Sequence, residues 1–444
     1  MTAEGGTGYK ETDIGRIPSE WRMKSIEEIK AKQPHSLAMG PFGSNITTNN
    51  FLPSGIPVIR GTNLSSYRFR NSGFVYISEE KANELKSSNA FPKDIVVTHR
   101  GSLGQVGIIP ENSEYKRYVV SQSQMKLTCD EAVANPDFIF YYLKSPFGQH
   151  QLLMNTSTTG VPSIAQPLTS MRRILVPLPD LKEQAAIAKV LKCLDMKIEL
   201  NTDLNRILEE FGKMMFKHWF GNFEFPNDEG KPYKTSGGPL VDSSMGKITE
   251  GWTAGDLGSI CVITMGQSPP GETYNETGEG LPFFQGIRDF GFRFPSKRVY
   301  CTAPTRFAEE GDVLLSVRAP VGSLNIAEER CAIGRGVAAL RLKGKQNGFL
   351  YYLLLATRSA WNEYEAKGTV FGSATKQDVD NFRIVVPPRN LRDKFGNLIE
   401  PSDKQILLNQ KEIRTLSTIR DSLLPKLMSG KTRVPVPREA GETA

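Results

Sequence analysis

Apolar positions along this chain follow two alternating rhythms. Up to about residue 178, and again from about 245 to 388, short β-branched and aromatic runs such as "DIVVT" and "DVLLS" are divided by Gly, Pro, Asn and Ser. That is the pattern of short strands and turns. After each block the rhythm changes to steps of three and four. Ile187, Val190, Leu194, Ile198, Asn201, Leu204, Leu208, Phe211 and Met215 mark one stripe. Ile406, Asn409, Ile413, Leu416, Leu423 and Leu427 mark the other. Heptad-like spacing on an otherwise polar face predicts two long helices. Each stripe is narrow enough to call for a helical partner, and the obvious partner is the other copy. An antiparallel coiled coil is therefore expected. Asn201 and Asn409 fall on their stripes at the same phase, where a buried asparagine fixes register. Pro401 predicts a helix break before Asp403, with Ser402 or Asp403 as N-cap. Symmetry predicts a kink near Asp195. A helix from Leu181 to about His218 spans on the order of 50 Å at 1.5 Å per residue.

The rhythms recur because the chain is written twice. "IGRIPSEW" (Ile14–Trp21) returns as "MGKITEGW" (Met245–Trp252), and "GIPVIRGTN" from Gly55 as "GLPFFQGIR" from Gly280. "DIVVTHRGSLGQVGI" from Asp94 returns as "DVLLSVRAPVGSLNI" from Asp312, and "RILVP" at Arg173 as "RIVVP" at Arg383. A collinear series of this kind denotes a tandem duplication of a unit of roughly 200 residues, too long for a solenoid repeat. The expected class is α+β. Domain boundaries follow: a strand-rich domain over 1–178, a helical region over 179–221, a linker over 222–244, a second strand-rich domain over 245–388, a second helical region over 389–431, and a flexible tail over 432–444. Pro177 and Pro387 close the two strand-rich domains, because proline cannot donate to a sheet ladder.

Composition narrows the function classes. The formal charge of +7 favours an acidic partner such as nucleic acid. No apolar run reaches membrane-spanning length, and the N-terminus lacks a signal-peptide plan. The five cysteines are scattered without C-x-x-C spacing, which fits a reducing, cytoplasmic setting. No pair among the four histidines has metal-ligand spacing, and no catalytic triad is visible. Neither a catalytic nor a metal site is expected. "SGKT" at Ser429–Thr432 lacks the first P-loop glycine, since Pro425 stands there. "NPDF" at Asn135–Phe138 fits an N-cap followed by proline at the first helical position. "EEK" (Glu79–Lys81) and "EAK" (Glu365–Lys367) read as exposed helical charge.

Polar loops at strand ends are the candidate chemistry. "THRGSLG" presents Thr98, Arg100 and Ser102, and "SVRAPVG" presents Ser316 and Arg318. "VSQSQ" offers Ser121, Gln122 and Gln124, and "IGRGV" offers Arg335. "TSTTGVPS" carries Thr158 and Thr159, and the loop after "KGTVFGS" carries Lys376. "IRDFGFRFPSKR" supplies Arg288 and Arg293. Such residues suit hydrogen bonding to phosphates and base edges. The copies diverge most in these loops while keeping their frame, as expected of two heads that read different things.

The openings "IGRIPSEW" and "MGKITEGW", the segment "LPDLKEQAAIAKVLKCLDMKI" (Leu178–Ile198) and the ending "LLPKLMSGK" (Leu423–Lys431) resemble the specificity (S) subunit of type I restriction–modification systems. The resemblance covers nearly the whole chain. In the second copy "LRDKF" replaces the Glu-Gln signature, so that Lys394 stands where Gln184 does. The resemblance implies two target recognition domains that read a bipartite site in double-stranded DNA, held apart by helical spacers. It implies docking of two methyltransferase (M) subunits, which bind S-adenosylmethionine and methylate adenine. It also implies restriction (R) subunits, which use ATP and Mg. No cofactor is expected in this chain. Two other readings are a stand-alone DNA-binding regulator on the same frame and an enzyme whose site is unrecognised.

Overall fold

The computed structural model describes residues 8–64, 67–157, 160–344, 347–365 and 372–435. The chain divides into two compact units, residues 1–202 with 410–444, and residues 203–409. The division therefore falls inside the helical regions, and each unit takes a strand-rich domain together with parts of both.

In the first unit, one four-stranded sheet has the order Leu37–Met39, Gln124–Leu127, Ile95–Thr98, Val106–Ile108, all antiparallel. A second has the order Val75–Ile77, Ile56–Ile59, Tyr118–Val120, Asn89–Ala90, with a parallel pair at its centre. The second unit repeats both plans. Its antiparallel sheet runs Cys261–Met265, Val337–Leu342, Val313–Ser316, Leu324–Ile326. Its five-stranded sheet again pairs two strands in parallel, Leu281–Phe284 and Cys331–Ile333. Strands Ile95–Thr98 and Val313–Ser316 are buried on both faces, which is why they read as continuous apolar runs. The closing strand Leu175–Leu178 pairs with Arg22–Ser25, and Arg383–Val386 pairs with Thr253–Asp256. Each domain thus ends beside its own beginning.

The long helices are Leu181–Phe216 and Arg389–Met428. The break expected before Asp403 is absent. Pro401 lies inside the second helix, and the first runs through Asp195. An internal proline costs about 3 kcal/mol, and the burial of Ile399 and Ile406 on either side opposes that cost. Partners within each unit run antiparallel. In the first, Arg420 reaches Asp195 at 3.0 Å and Asn201 donates to Glu412 at 2.8 Å. In the second, Asn409 donates to Asn205 at 2.8 Å. Both seam asparagines are buried and bonded across to the facing helix.

The seam itself is turned from the apolar stripe. The innermost line of the first helix is Leu191, Asp195, Ile198, Asn205, Glu209 and Phe216, all buried, alongside Ile187 and Asn201. Val190, Leu194, Leu204, Leu208 and Met215 are half-buried on its flank. Phe211, expected in the seam, is 38% exposed. Periodicity scored on apolar residues alone misses this line because half of it is polar. In the second helix Ile406, Asn409, Ile413 and Leu427 are buried as expected, and Leu416 and Leu423 are half-buried.

Tyrosines supply the missing partners. Helix Pro136–Lys144 presents Tyr141, whose hydroxyl donates to Asp195 at 2.8 Å and accepts from Arg68 at 2.8 Å. Helix Gly348–Ala356 presents Tyr352, which donates to Asp403 at 3.2 Å and accepts from Arg293 at 2.8 Å. Tyr351 donates to Glu209 at 2.9 Å. An Arg–Tyr–Asp clamp therefore fastens each domain to a helix. A Cβ at Gly212 would lie 2.3 Å from the Tyr352 ring, so this close approach requires glycine. The Glu-Gln signature is also structural. Glu183 accepts from Trp21 and from Arg433, and Gln184 accepts from the Asn135 backbone N–H.

Two expected boundaries change character. Residues 222–244 are not a bare linker, since Phe225 stacks between Tyr233 and Trp252 in the core of the second unit. The expected flexible tail begins with Arg433 bonded to Glu183 and Glu20; residues 436–444 lie outside the described part. Ser429 is buried and bonded to the Pro425 carbonyl, an ordinary helix terminus.

Candidate nucleic-acid interface

The strand ends of each antiparallel sheet gather a set of loops, and the two sets correspond. In the first unit, His99 follows the central strand and its N–H donates to Ser123 O at 2.9 Å. Burial holds the His99 imidazole below its ordinary pKa, and its Nε2 donates to Gln122 O at 3.1 Å. The neutral ring fastens the 99–104 loop to the 121–123 turn. Arg100 forms a β-bridge with Ser163, which adds the 160–163 loop. A Cβ at Gly40 would lie 1.9 Å from Ser121 O, so the loop from Gly40 to Asn45 rests on the same turn.

The second unit repeats this arrangement. Arg318 bridges to Ser373, a Cβ at Gly266 would lie 2.1 Å from Gly334 O, and one at Gly336 would lie 2.2 Å from Gln285 O. Arg335 donates through both its backbone N–H and its Nε to Ser268 Oγ at 3.3 Å. Loops from 266, 285, 318, 334 and 372 therefore share one end of that domain.

Arg100, Ser102 and Gln122 are exposed on the first cluster, and Arg288, Arg318 and Arg335 on the second. Ser121 is half-buried and donates to Gln124. Lys376 is exposed and ion-paired with Asp380 at 2.6 Å. Thr158 and Thr159 lie outside the described residues.

Four expected contact residues point inward instead. Thr98 and Gln124, both 1% exposed, bond to each other across paired strands, and Thr98 also donates to Gln105. Ser316 donates to Pro320 O and accepts from Ser323 N–H. Each is the final or first residue of a strand buried on both faces, so it shapes the loop from below. Arg293 is 0% exposed and belongs to the Tyr352 clamp. Residues 291–299 around it contain no strand.

A family model described as "Type I restriction modification DNA specificity domain" matches residues 18–210 and 249–418. The chain belongs to this family. It serves as a DNA-specificity subunit of a type I restriction–modification complex, and this membership does not favour a stand-alone regulator. Curated relatives include the type I restriction enzyme MjaIX specificity subunit of Methanocaldococcus jannaschii, 27% identical over 454 residues and covering 96% of this chain and 97% of the relative. The HindI specificity subunit of Haemophilus influenzae is 20% identical over 386 residues, covering 72% and 82%. A crystal structure of the type I S subunit from M. genitalium shares the fold, with a TM-score of 0.61, 17% identity and 99% coverage of both chains.

Sequence reasoning passed over two loops of this specificity subunit, "GPFGSN" (Gly40–Asn45) and "GQSPPG" (Gly266–Gly271). Each follows the first strand of its antiparallel sheet and opens with a glycine that must lie flat on a neighbouring turn. Their shared position in the duplication was the available signal. Among the described residues no group of three or more His, Cys, Asp or Glu is placed to hold a metal ion, and no helix is long and apolar enough to cross a membrane.

Arg100 and Arg318 stand at equivalent strand ends, so their replacement tests the face directly. Arg100→Ala and Arg318→Ala are each expected to weaken DNA binding and to reduce the slope of log K against log salt by about one if the contact is to a phosphate. Salt titration of binding checks this. Unchanged affinity and slope would remove both residues from the interface.

Proposed function

We propose that the two loop clusters read the two parts of a bipartite site in double-stranded DNA, one domain to each part. The observation that carries this reading is the recurrence of one loop-bearing frame in two compact units with different side chains at its exposed end. Arg100 and Gln122 stand in one and Arg288, Arg318 and Arg335 in the other. The long helices then serve as spacer and as docking surface for two methyltransferase subunits and for restriction subunits. Exposed apolar side chains on the first helix support docking: Met196 and Leu200 in the first unit, Ile207, Phe211 and Met214 in the second. In this reading Phe211 serves a partner subunit instead of the seam. S-adenosylmethionine chemistry belongs to the methyltransferase subunits, and ATP and Mg chemistry to the restriction subunits. The setting is cytoplasmic, which the five free cysteines support.

Exchange of recognition loops provides the test. Replacing the loops within residues 20–170 by those of another family member is expected to change one half of the methylated motif. Replacing those within 250–380 is expected to change the other half. Methylation-aware sequencing of a host genome with and without each variant reads both. A single-domain exchange that altered both halves together would overturn independent reading.

A further inference from the structure

We infer that Phe42 is a specificity-determining residue of the first domain, and that it makes an apolar contact with a base of the half-site which that domain reads. The inference rests on the proposed reading of the loop clusters and deepens it. Phe42 is 69% exposed, the most exposed large apolar side chain among the described residues. A single exposed apolar side chain is ordinary on a protein surface, so a contact role needs a reason beyond exposure.

Its placement supplies one. Phe42 stands two residues beyond Gly40, which packs on Ser121 O and whose N–H donates to Gln124 O at 2.8 Å. Pro41 between them is buried, and Phe42 O accepts from Asn45 N–H at 3.1 Å, closing a 3-10 turn over Gly43–Asn45. The ring is therefore carried on an anchored turn beside Gln122, which His99 ties to Arg100. The 160–163 loop, which bridges to Arg100, carries Val161, 55% exposed. A cation and an amide thus share this loop cluster with exposed apolar groups.

Duplex DNA offers few apolar surfaces to such a face. They are the C5-methyl of thymine in the major groove and the faces of a partly opened base step. Phosphates and sugars, which take most protein–DNA hydrogen bonds, offer a phenyl ring nothing comparable. At the equivalent position the second domain carries no aromatic residue. Its equivalent loop is "GQSPPG", and its exposed end carries three arginines. The second head also exposes Ile287 beside Arg288, so the difference at this position is an aromatic ring in the first head and polar and proline residues in the second.

The test uses the full chain, with its site first defined by methylation-aware sequencing. Absence of any defined site would defeat the proposed reading itself, before Phe42 is examined. On a duplex carrying the site, Phe42→Ala is expected to weaken binding about ten- to a hundredfold. Binding to a non-specific duplex and the salt slope should stay unchanged. Phe42→Leu should retain part of the affinity. Thymines of the first half-site are then replaced singly by deoxyuridine, which removes only the methyl group. A position where uracil weakens wild-type binding, but Phe42→Ala no further, identifies a methyl contact. Coupling instead to enhanced 2-aminopurine fluorescence at one step identifies contact with an opened base face. Either result supports the inference. A Phe42→Ala chain that melts like the wild type and binds the specific duplex with unchanged affinity and site choice overturns it.

Discussion

Arg293→Ala is expected to destabilise the second compact unit by about 3–5 kcal/mol, the usual cost of removing one partner from a buried ion pair. The Arg293 guanidinium donates to Asp403 at 2.5 Å and to the Tyr352 hydroxyl at 2.8 Å, and lies 4.1 Å from the Tyr351 ring centroid. Glu209 faces it at 3.6 Å. Alanine would leave two carboxylates and a phenol among apolar side chains. The pH dependence has a defined sign. Burial already raises the Asp403 carboxyl above its ordinary value, against the opposing pull of Arg293. Without the arginine its folded pKa rises further. A carboxyl raised in the folded state contributes most at low pH and costs stability as pH rises through that pKa. The deficit of Arg293→Ala should therefore be smaller in mildly acidic buffer than at pH 8. Adding Asp403→Asn should recover part of it. Urea denaturation at both pH values checks this, and equal midpoints for variant and wild type would show that the clamp contributes nothing. Arg68→Ala should cost less, because Asp137 keeps Lys192 at 3.0 Å and Asp195 keeps Arg420.

Lengthening both long helices is expected to change the spacing of the recognised DNA site without changing either half-site. Partners run antiparallel within each unit, so extra residues in one helix alone would leave unmatched seam positions. Matched insertions of four residues, after Asn205 in one helix and immediately before Asn409 in the other, add about one turn, roughly 6 Å, keep the Asn205–Asn409 pair, and nearly keep the buried phase. That corresponds to about two base pairs at roughly 3.4 Å per step. The methylated motif should keep its two sequences and gain a longer gap. Inserting two residues in each helix should instead turn the seam by roughly half a turn and abolish assembly, which circular dichroism and thermal melting would report. A folded four-residue variant that still required the original gap would refute the ruler.

The sequence by itself determined the duplication, the alternation of strand-rich domains with helices, and the family. Repeated short motifs such as "RILVP" and "RIVVP" need no partner in space to be recognised. Heptad-like steps located helices Leu181–Phe216 and Arg389–Met428 closely because helical periodicity is local. Asn201 and Asn409 were legible as buried seam residues because both copies carry them at one phase. Tertiary structure decided which way each side chain faces. Thr98, Gln124 and Ser316 stand at strand ends beside exposed loops, and a strand reverses side with every residue, so a shift of one position separates a contact residue from a core one. Asp195 and Glu209 lie in the seam only because Tyr141 and Tyr351, distant in the chain, bring hydroxyls to them. Arg293 was read as a DNA contact because a buried charge is improbable until its partners are known, and here they lie 59 and 110 positions away in sequence. Phe42 and Phe211 were hidden for the opposite reason. Apolar residues are assigned to a core by default, and only the packed structure shows a ring that the core leaves out.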